Sequence, residues 1–134
     1  MAFTIYVGMA LTEAPAEFRE QFQKELKDGL RALSGVRLLD FVGLVADDAA
    51  TVYRHDTTCA REANLCVFVC DYPSTGLGFE IRERHATRLA MMLFAEEGRR
   101  ITRLITGFAE VENIPFARYR STADIVAHVQ EWLS

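Results

Sequence analysis

The stretch Asp71–Ile81, "DYPSTGLGFEI", places one acid, Glu80, behind two glycines, Gly76 and Gly78. It follows "NLCVFVC" (Asn64–Cys70), the most apolar short run of the chain. A buried strand that turns through glycine into a helix presents such an acid at the edge of a sheet. In the first turn of a helix the dipole favours the charged form by roughly 0.3–1 kcal/mol. The expectation is an ionised carboxylate, somewhat less basic than usual, suited to act as a nucleophile. Gly76 and Gly78 let the backbone turn tightly and let a ligand come close. The same residues fit a plain acid at a helix N-terminus, and the spacing alone does not separate the two.

Asp56 bears on that choice. On a helix over residues 49–63, Val52, Asp56, Cys59 and Ala63 fall on one stripe by three- and four-residue steps. Arg54, His55, Thr58, Arg61 and Glu62 point elsewhere. Asp56 therefore projects from the apolar side, where an unpaired carboxylate is costly. It is either satisfied there by a backbone group or a neighbouring cation, Arg54 and Arg61 being too far round, or is a second acid facing the crevice of Glu80. Tyr6 ends the first strand just before Gly8, and its hydroxyl either sits at the rim of the core or orients a carboxylate. Ser74, six residues before Glu80, can cap the coming helix or bind an anion, and Asn113 is a turn residue or a ligand contact. Arg82, Arg84, Arg88, Arg99, Arg100 and Arg103 form a loose basic cluster. It reads as a solvated face with local pairs such as Glu80–Arg84 and Glu96–Arg100, the alternative being a phosphate-binding role.

The elements that position these groups alternate. "FTIYVG" (Phe3–Gly8) is a strand, and residues 13–33 carry Phe18, Phe22, Leu26, Leu30 and Leu33 on one face of a long helix stopped near Gly35. "VRLLDFVGL" (Val36–Leu44) is the second strand. Asp47 and Asp48 can cap the helix over 49–63, and "LCVFVC" is the third strand. A short helix from Gly78 to Thr87 leads to a fourth strand, Leu89–Ala95. "RRITRLITGF" is a further helix or turn, "IPFARY" a fifth strand, and Ser121 caps an amphipathic last helix. The strands are continuous apolar runs, as in a parallel sheet covered on both faces. The predicted fold is a doubly wound α/β domain, Rossmann- or flavodoxin-like, with five parallel strands and helices on both faces. In such sheets ligands bind beyond the carboxyl ends of the strands, where helices begin.

With 134 residues, half of them hydrophobic and a quarter charged (50% and 25%), the chain is expected to form a single domain over 1–134. A formal net charge of −4 argues against a nucleic-acid polymer as partner. No apolar run approaches the roughly 18–20 residues needed to span a membrane. "MAFTIYVGMAL" lacks a basic leader and reads as a strand. Three cysteines, two of them in an apolar strand, suit a reduced, cytoplasmic protein. His55, His85 and His128 are scattered without ligand spacing, so no metal is expected.

Taken together, "IYVG", "YRHDTTCAREANLCVFVCDYPSTGLGFEI" and "LITGFAEVENI" resemble the nucleoside 2-deoxyribosyltransferase superfamily. Within it they are most similar to the nucleotide N-glycosidases, the Rcl type and the CMP hydrolases of mildiomycin and blasticidin biosynthesis. The matching pattern is Tyr6 with Gly8, Asp56 ahead of "ANLCVFV", and Gly76, Gly78 and Glu80 after it. The resemblance implies that Glu80 attacks the anomeric carbon of a ribosyl or deoxyribosyl group. It implies that Asp56 contacts the base and helps protonate it, and that Tyr6 positions Glu80. Gly8, Ser74, Gly76, Gly78 and Asn113 are then substrate-binding positions, with no cofactor. Asn113 matches a position that reaches the sugar's 5′ end from a neighbouring subunit, which implies a homodimer or higher homo-oligomer. A small-molecule nucleoside or nucleoside 5′-monophosphate is the implied substrate. Ser74 stands where nucleoside-using members tend to carry Asp, which points toward the monophosphate. The chain departs from the pattern in three places. "MALTEAP" lacks the arginine of the monophosphate members, "IRERHA" puts Arg82 and Arg84 at usually small positions, and no Gly-Lys-Pro precedes the fourth strand. A catalytically silent nucleotide-binding module of the same fold is the alternative, supported by Arg82 and Arg84.

Overall fold

The computed structural model describes residues 2–134. Five strands, β1 (Phe3–Met9), β2 (Val36–Leu39), β3 (Leu65–Val69), β4 (Met91–Glu96) and β5 (Phe116–Tyr119), form one sheet in the order β2-β1-β3-β4-β5. Every pair is parallel, and the register sets Tyr6 beside Cys66 and Gly8 beside Phe68. The helices are α1 (Gln23–Arg31), α2 (Ala49–Glu62), α3 (Thr75–Thr87), α4 (Arg103–Glu112) and α5 (Thr122–Leu133). α1 packs with α5 and α2 with α3. α4 joins α3 through His85, whose ring meets Phe108 edge-on at 5.0 Å and whose Nε2 lies 3.3 Å from Glu112. This is the doubly wound five-stranded parallel sheet that the alternation of the sequence predicts.

The centre of the sheet is sealed. All of β3 is buried, as are Ile5, Tyr6 and Val7 of β1 and Leu93 and Phe94 of β4. Each large apolar side chain here contributes about 1.5–3 kcal/mol by leaving water. Asp71, just past β3, ties the strand ends together. Its Oδ1 accepts from the Glu96 backbone N–H at 2.8 Å, and its Oδ2 accepts from the Tyr119 hydroxyl. Among the described residues no helix is long and apolar enough to cross a membrane.

Several boundaries differ from the sequence reading, each for a local reason. The first helix is not one regular run. A π-helical turn over Phe18–Phe22 leads into α1 and stacks the two phenylalanine rings at 4.9 Å. β2 ends at Leu39 and not at Leu44, because Asp40 turns outward to Arg31 (3.0 Å) and Lys27 (3.2 Å). α3 starts at Thr75 and not at Gly78, because Ser74 accepts the Leu77 N–H at 3.1 Å and caps the helix three residues early. Arg88, left-handed at φ 62°, closes α3, so β4 begins at Met91. Ser121 holds the N-cap position of α5 without a side-chain bond, and Asp124 instead accepts the Arg120 N–H at 2.8 Å.

The arginine cluster is not a solvated face throughout. Arg84 is fully buried, at 0% exposure, and donates to the carbonyls of Ala63 (2.5 Å), Asn64 (3.1 Å) and Ala90 (2.7 Å), with longer bonds to Ala60 and Arg61. It therefore satisfies the orphan carbonyls at the end of α2, where the helix dipole favours a cation. The expected Glu80–Arg84 pair does not form. Glu96 pairs with Arg99, at 2.9 Å, in place of Arg100.

Candidate active site

β1 and α3 bring the first two functional groups together. Tyr6, at 0% exposure, sends its hydroxyl out of the core to donate to Glu80 Oε2. Gly8, two residues on and thus on the same face of β1, makes room for that contact. A Cβ added to it would lie 2.8 Å from Glu80 Oε1 and 2.6 Å from Phe68 Cδ1. Gly8 is the one glycine here whose missing side chain decides the geometry, and it underlies Glu80 without lining the cleft.

The charge of Glu80 departs from the sequence expectation. The residue lies in the second turn of α3, past the reach of the helix dipole, because the helix starts at Thr75. Burial pushes its pKa up to about 8, with the nearby Asp56 charge adding to the rise and the Tyr6 hydrogen bond opposing it. Tyr6 in turn is held far above the usual phenol range, by its own burial first and by Glu80 second. At neutral pH the free site thus stores a proton on Glu80, next to a phenol that stays neutral and donates to the carboxylate when it forms.

Asp56 is buried, at 7% exposure, and is anchored by the backbone. Its Oδ1 accepts the Val42 N–H at 2.8 Å. His55, expected to point away, reaches back so that its Nδ1 lies 3.0 Å from the same oxygen. Oδ2 lies toward Gly43, 3.7 Å from where a Cβ of that glycine would stand. One oxygen is thereby fixed and the other belongs to the cleft.

Asp56 and Glu80 line a single cleft of about 550 Å³ beyond the carboxyl ends of β1 and β3. One wall is the segment after β1, with Met9, Leu11, Thr12 and Glu13. Gly43, Leu44 and Val52 form the second wall, and Pro73 to Leu77 at the start of α3 form the third. A volume of this order accommodates a small heterocycle with its sugar. Ser74 and Gly76 line the cleft. Gly78 faces a smaller cavity of about 250 Å³ on the far side of Pro73, Ser74 and Leu77. Gly76 and Gly78 are helical residues with no positive φ, so their value is open space and not a turn. Asn113 is the left-handed C-cap of α4, at φ 57°, and lies outside the cleft of its own chain.

Thr12, Glu13, Gly43 and the Val42 N–H were not singled out from the sequence. Reading residues 36–44 as one strand hid the loop that carries two of them. Gly43, interrupting an otherwise apolar run, was the available signal.

No protein-family model matches the chain, and no curated protein matches it. Solved structures do. The CMP N-glycosidase BcmB of Clostridium botulinum is 17% identical over 96% of this chain and 98% of that one, with a TM-score of 0.73. A 2-deoxyribosyltransferase of Bacillus psychrosaccharolyticus is 20% identical over 92% and 90%, with a TM-score of 0.61. The enzyme of the same name from Leishmania mexicana is also 20% identical, over 88% and 76%, with a TM-score of 0.56. The chain shares the fold of these structures.

Proposed function

We propose that the protein cleaves or transfers the N-glycosidic bond of a nucleoside or nucleotide by double displacement at Glu80. What supports this most is the Tyr6–Glu80 hydrogen bond at the base of a cleft that Asp56 also lines. Neighbours in fold that carry out N-glycoside cleavage and deoxyribosyl transfer support it further. The Glu80 carboxylate attacks the anomeric carbon, a carbon–oxygen ester bond forms, and the carbon–nitrogen bond breaks. The electron pair of that bond goes to the base, which takes, relayed through Asp56, the proton that Glu80 gives up on ionising. Water or a second base then displaces Glu80, restoring its carboxylate and returning a proton to the site through Asp56. Tyr6 orients Glu80 by donating to the oxygen that does not attack. Charge developing on the sugar is stabilised by the adjacent Glu80 carboxylate.

Neither arginine of "IRERHA" obstructs this chemistry. Arg84 is engaged by carbonyls and Arg82 is exposed, and neither bonds to Glu80. The direct test is incubation with nucleosides and nucleoside monophosphates, with and without an acceptor base, followed by chromatography of the free base. Base release is expected, together with a glycosyl adduct on Glu80 by mass spectrometry, and Glu80→Ala abolishes both. No release from any substrate sinks the proposal.

A further inference from the structure

We infer that the cleft takes an unphosphorylated nucleoside in preference to its 5′-monophosphate, with Glu13 as a determinant of that choice; this rests on the function proposed above. The observation is the charge of the lining. Three carboxylates, Glu13, Asp56 and Glu80, face the cleft, and none of its lining residues is Lys, Arg or His. Arg19, by the cleft rim, reaches the Ala14 carbonyl at 3.5 Å and does not line the cleft, and other nearby cations are engaged elsewhere. Lys27 lies over the Phe41 ring at 3.8 Å and beside Asp40 at 3.2 Å. Arg99 pairs with Glu96 at 2.9 Å and covers the Tyr72 ring. Arg100 lines the smaller cavity beyond Ser74, and His55, with its Nδ1 3.0 Å from Asp56 Oδ1, opens to a separate depression with Cys59 and Glu62.

A phosphate monoester brings a charge of about −1.5 to −2 at neutral pH. The positive groups open to it in the cleft are the N-terminal amides of α3, whose dipole amounts to about half an elementary charge. Ser74 adds one neutral O–H, its oxygen already accepting from Leu77. Half a charge does not offset two or three carboxylates at close quarters. A phosphate there also favours the protonated form of Glu80 and so withdraws the nucleophile. A 5′-hydroxyl meets no such opposition, since it can donate to Glu13 or accept from Ser74. This chain therefore parts from the C. botulinum CMP N-glycosidase at the 5′ end of the substrate.

The test compares kcat/KM for base release on matched pairs, cytidine with CMP, adenosine with AMP, and their 2′-deoxy forms. Wild type is run beside Glu13→Gln and Thr12→Arg, both positions being exposed. The nucleoside should be favoured by about tenfold or more in the pair that reacts best. That ratio should fall in both variants, further in Thr12→Arg, and should shrink with added salt. Equal or better turnover of the monophosphate overturns the inference and leaves the proposed function standing. Base release from neither member removes both. Calorimetric titration of Glu80→Gln with the same pairs gives a second readout, in which tighter binding of the monophosphate also overturns it.

Discussion

Burial, a phenol and a second acid act on Glu80 at once, and they do not act in the same direction. Because its pKa is pushed up to about 8, kcat/KM for base release should climb with pH and level off above that value. Tyr6→Phe removes the bond that holds the pKa down, so the Glu80 titration should move higher. Asp56→Asn removes a neighbouring negative charge and should move it lower. Isotope-edited NMR of the glutamate carboxyls reads both shifts directly. The same pKa affects stability. Between the ordinary carboxyl value and about 8, the unfolded chain has lost the proton that the folded one retains. The fold is therefore most favoured by this group at low pH and loses that contribution as pH rises toward 8. Glu80→Gln should accordingly raise Tm at pH 8 more than at pH 5 while abolishing turnover, and an unchanged difference between the two pH values would refute it. Gly8→Ala should displace Glu80, reducing kcat by about 100-fold, and should destabilise the fold by about 1–3 kcal/mol; single-turnover kinetics and denaturant titration measure the two. The identities of Tyr6, Asp56 and Glu80 were legible because strand ends and helical stripes are local patterns. The charge of Glu80 was not, since it depends on burial in the folded chain and on Tyr6 and Asp56, which lie far from it in the sequence.

At the scale of elements, Arg84 couples α3 to the end of α2 and to the start of β4. Replacing it by Met keeps the length but leaves several buried carbonyls unpaired. Arg84→Met should cost about 3 kcal/mol or more, measured by urea unfolding, with little change in turnover per folded molecule. A loss under about 1 kcal/mol would mean that water replaces the guanidinium. The sequence reading places Arg84 on a solvated face, paired with Glu80 four residues before it. It also stands three and seven residues after Ile81 and Leu77, both buried, and that stripe was the better guide. Strand order and helix count were otherwise readable from continuous apolar runs separated by caps. α3 starts three residues before Gly78 because the Ser74 side chain caps it. A side-chain cap, worth about 1 kcal/mol, fixes a helix start that glycine merely tolerates.

For the molecule as a whole, the association implied by the resemblance stands as a proposal. Phe79 on α3 and Leu104 and Val111 on α4 are large apolar side chains exposed at 60%, 80% and 81%. Sedimentation velocity should give a dimer or larger species, and Leu104→Glu with Val111→Glu should shift it toward the monomer. A monomer at all concentrations would remove the neighbouring-subunit role expected for Asn113. The general architecture was legible because a parallel sheet leaves an unbroken apolar signature. The cleft's second wall was not, because it comes from a loop whose path follows tertiary contacts such as the Val42 N–H to Asp56 bond.

That loop has a practical consequence. Tyr6, Asp56 and Glu80 are borne by a strand and two helices, whereas Gly43 and Leu44 belong to an irregular connection between β2 and α2. Under the proposed function, exchanging those two positions would re-tailor the aperture through which the base enters, while Tyr6, Asp56 and Glu80 keep their mounting. A small combinatorial library at residues 43 and 44, screened across bases, is therefore a compact route to biocatalysts of altered scope from this scaffold.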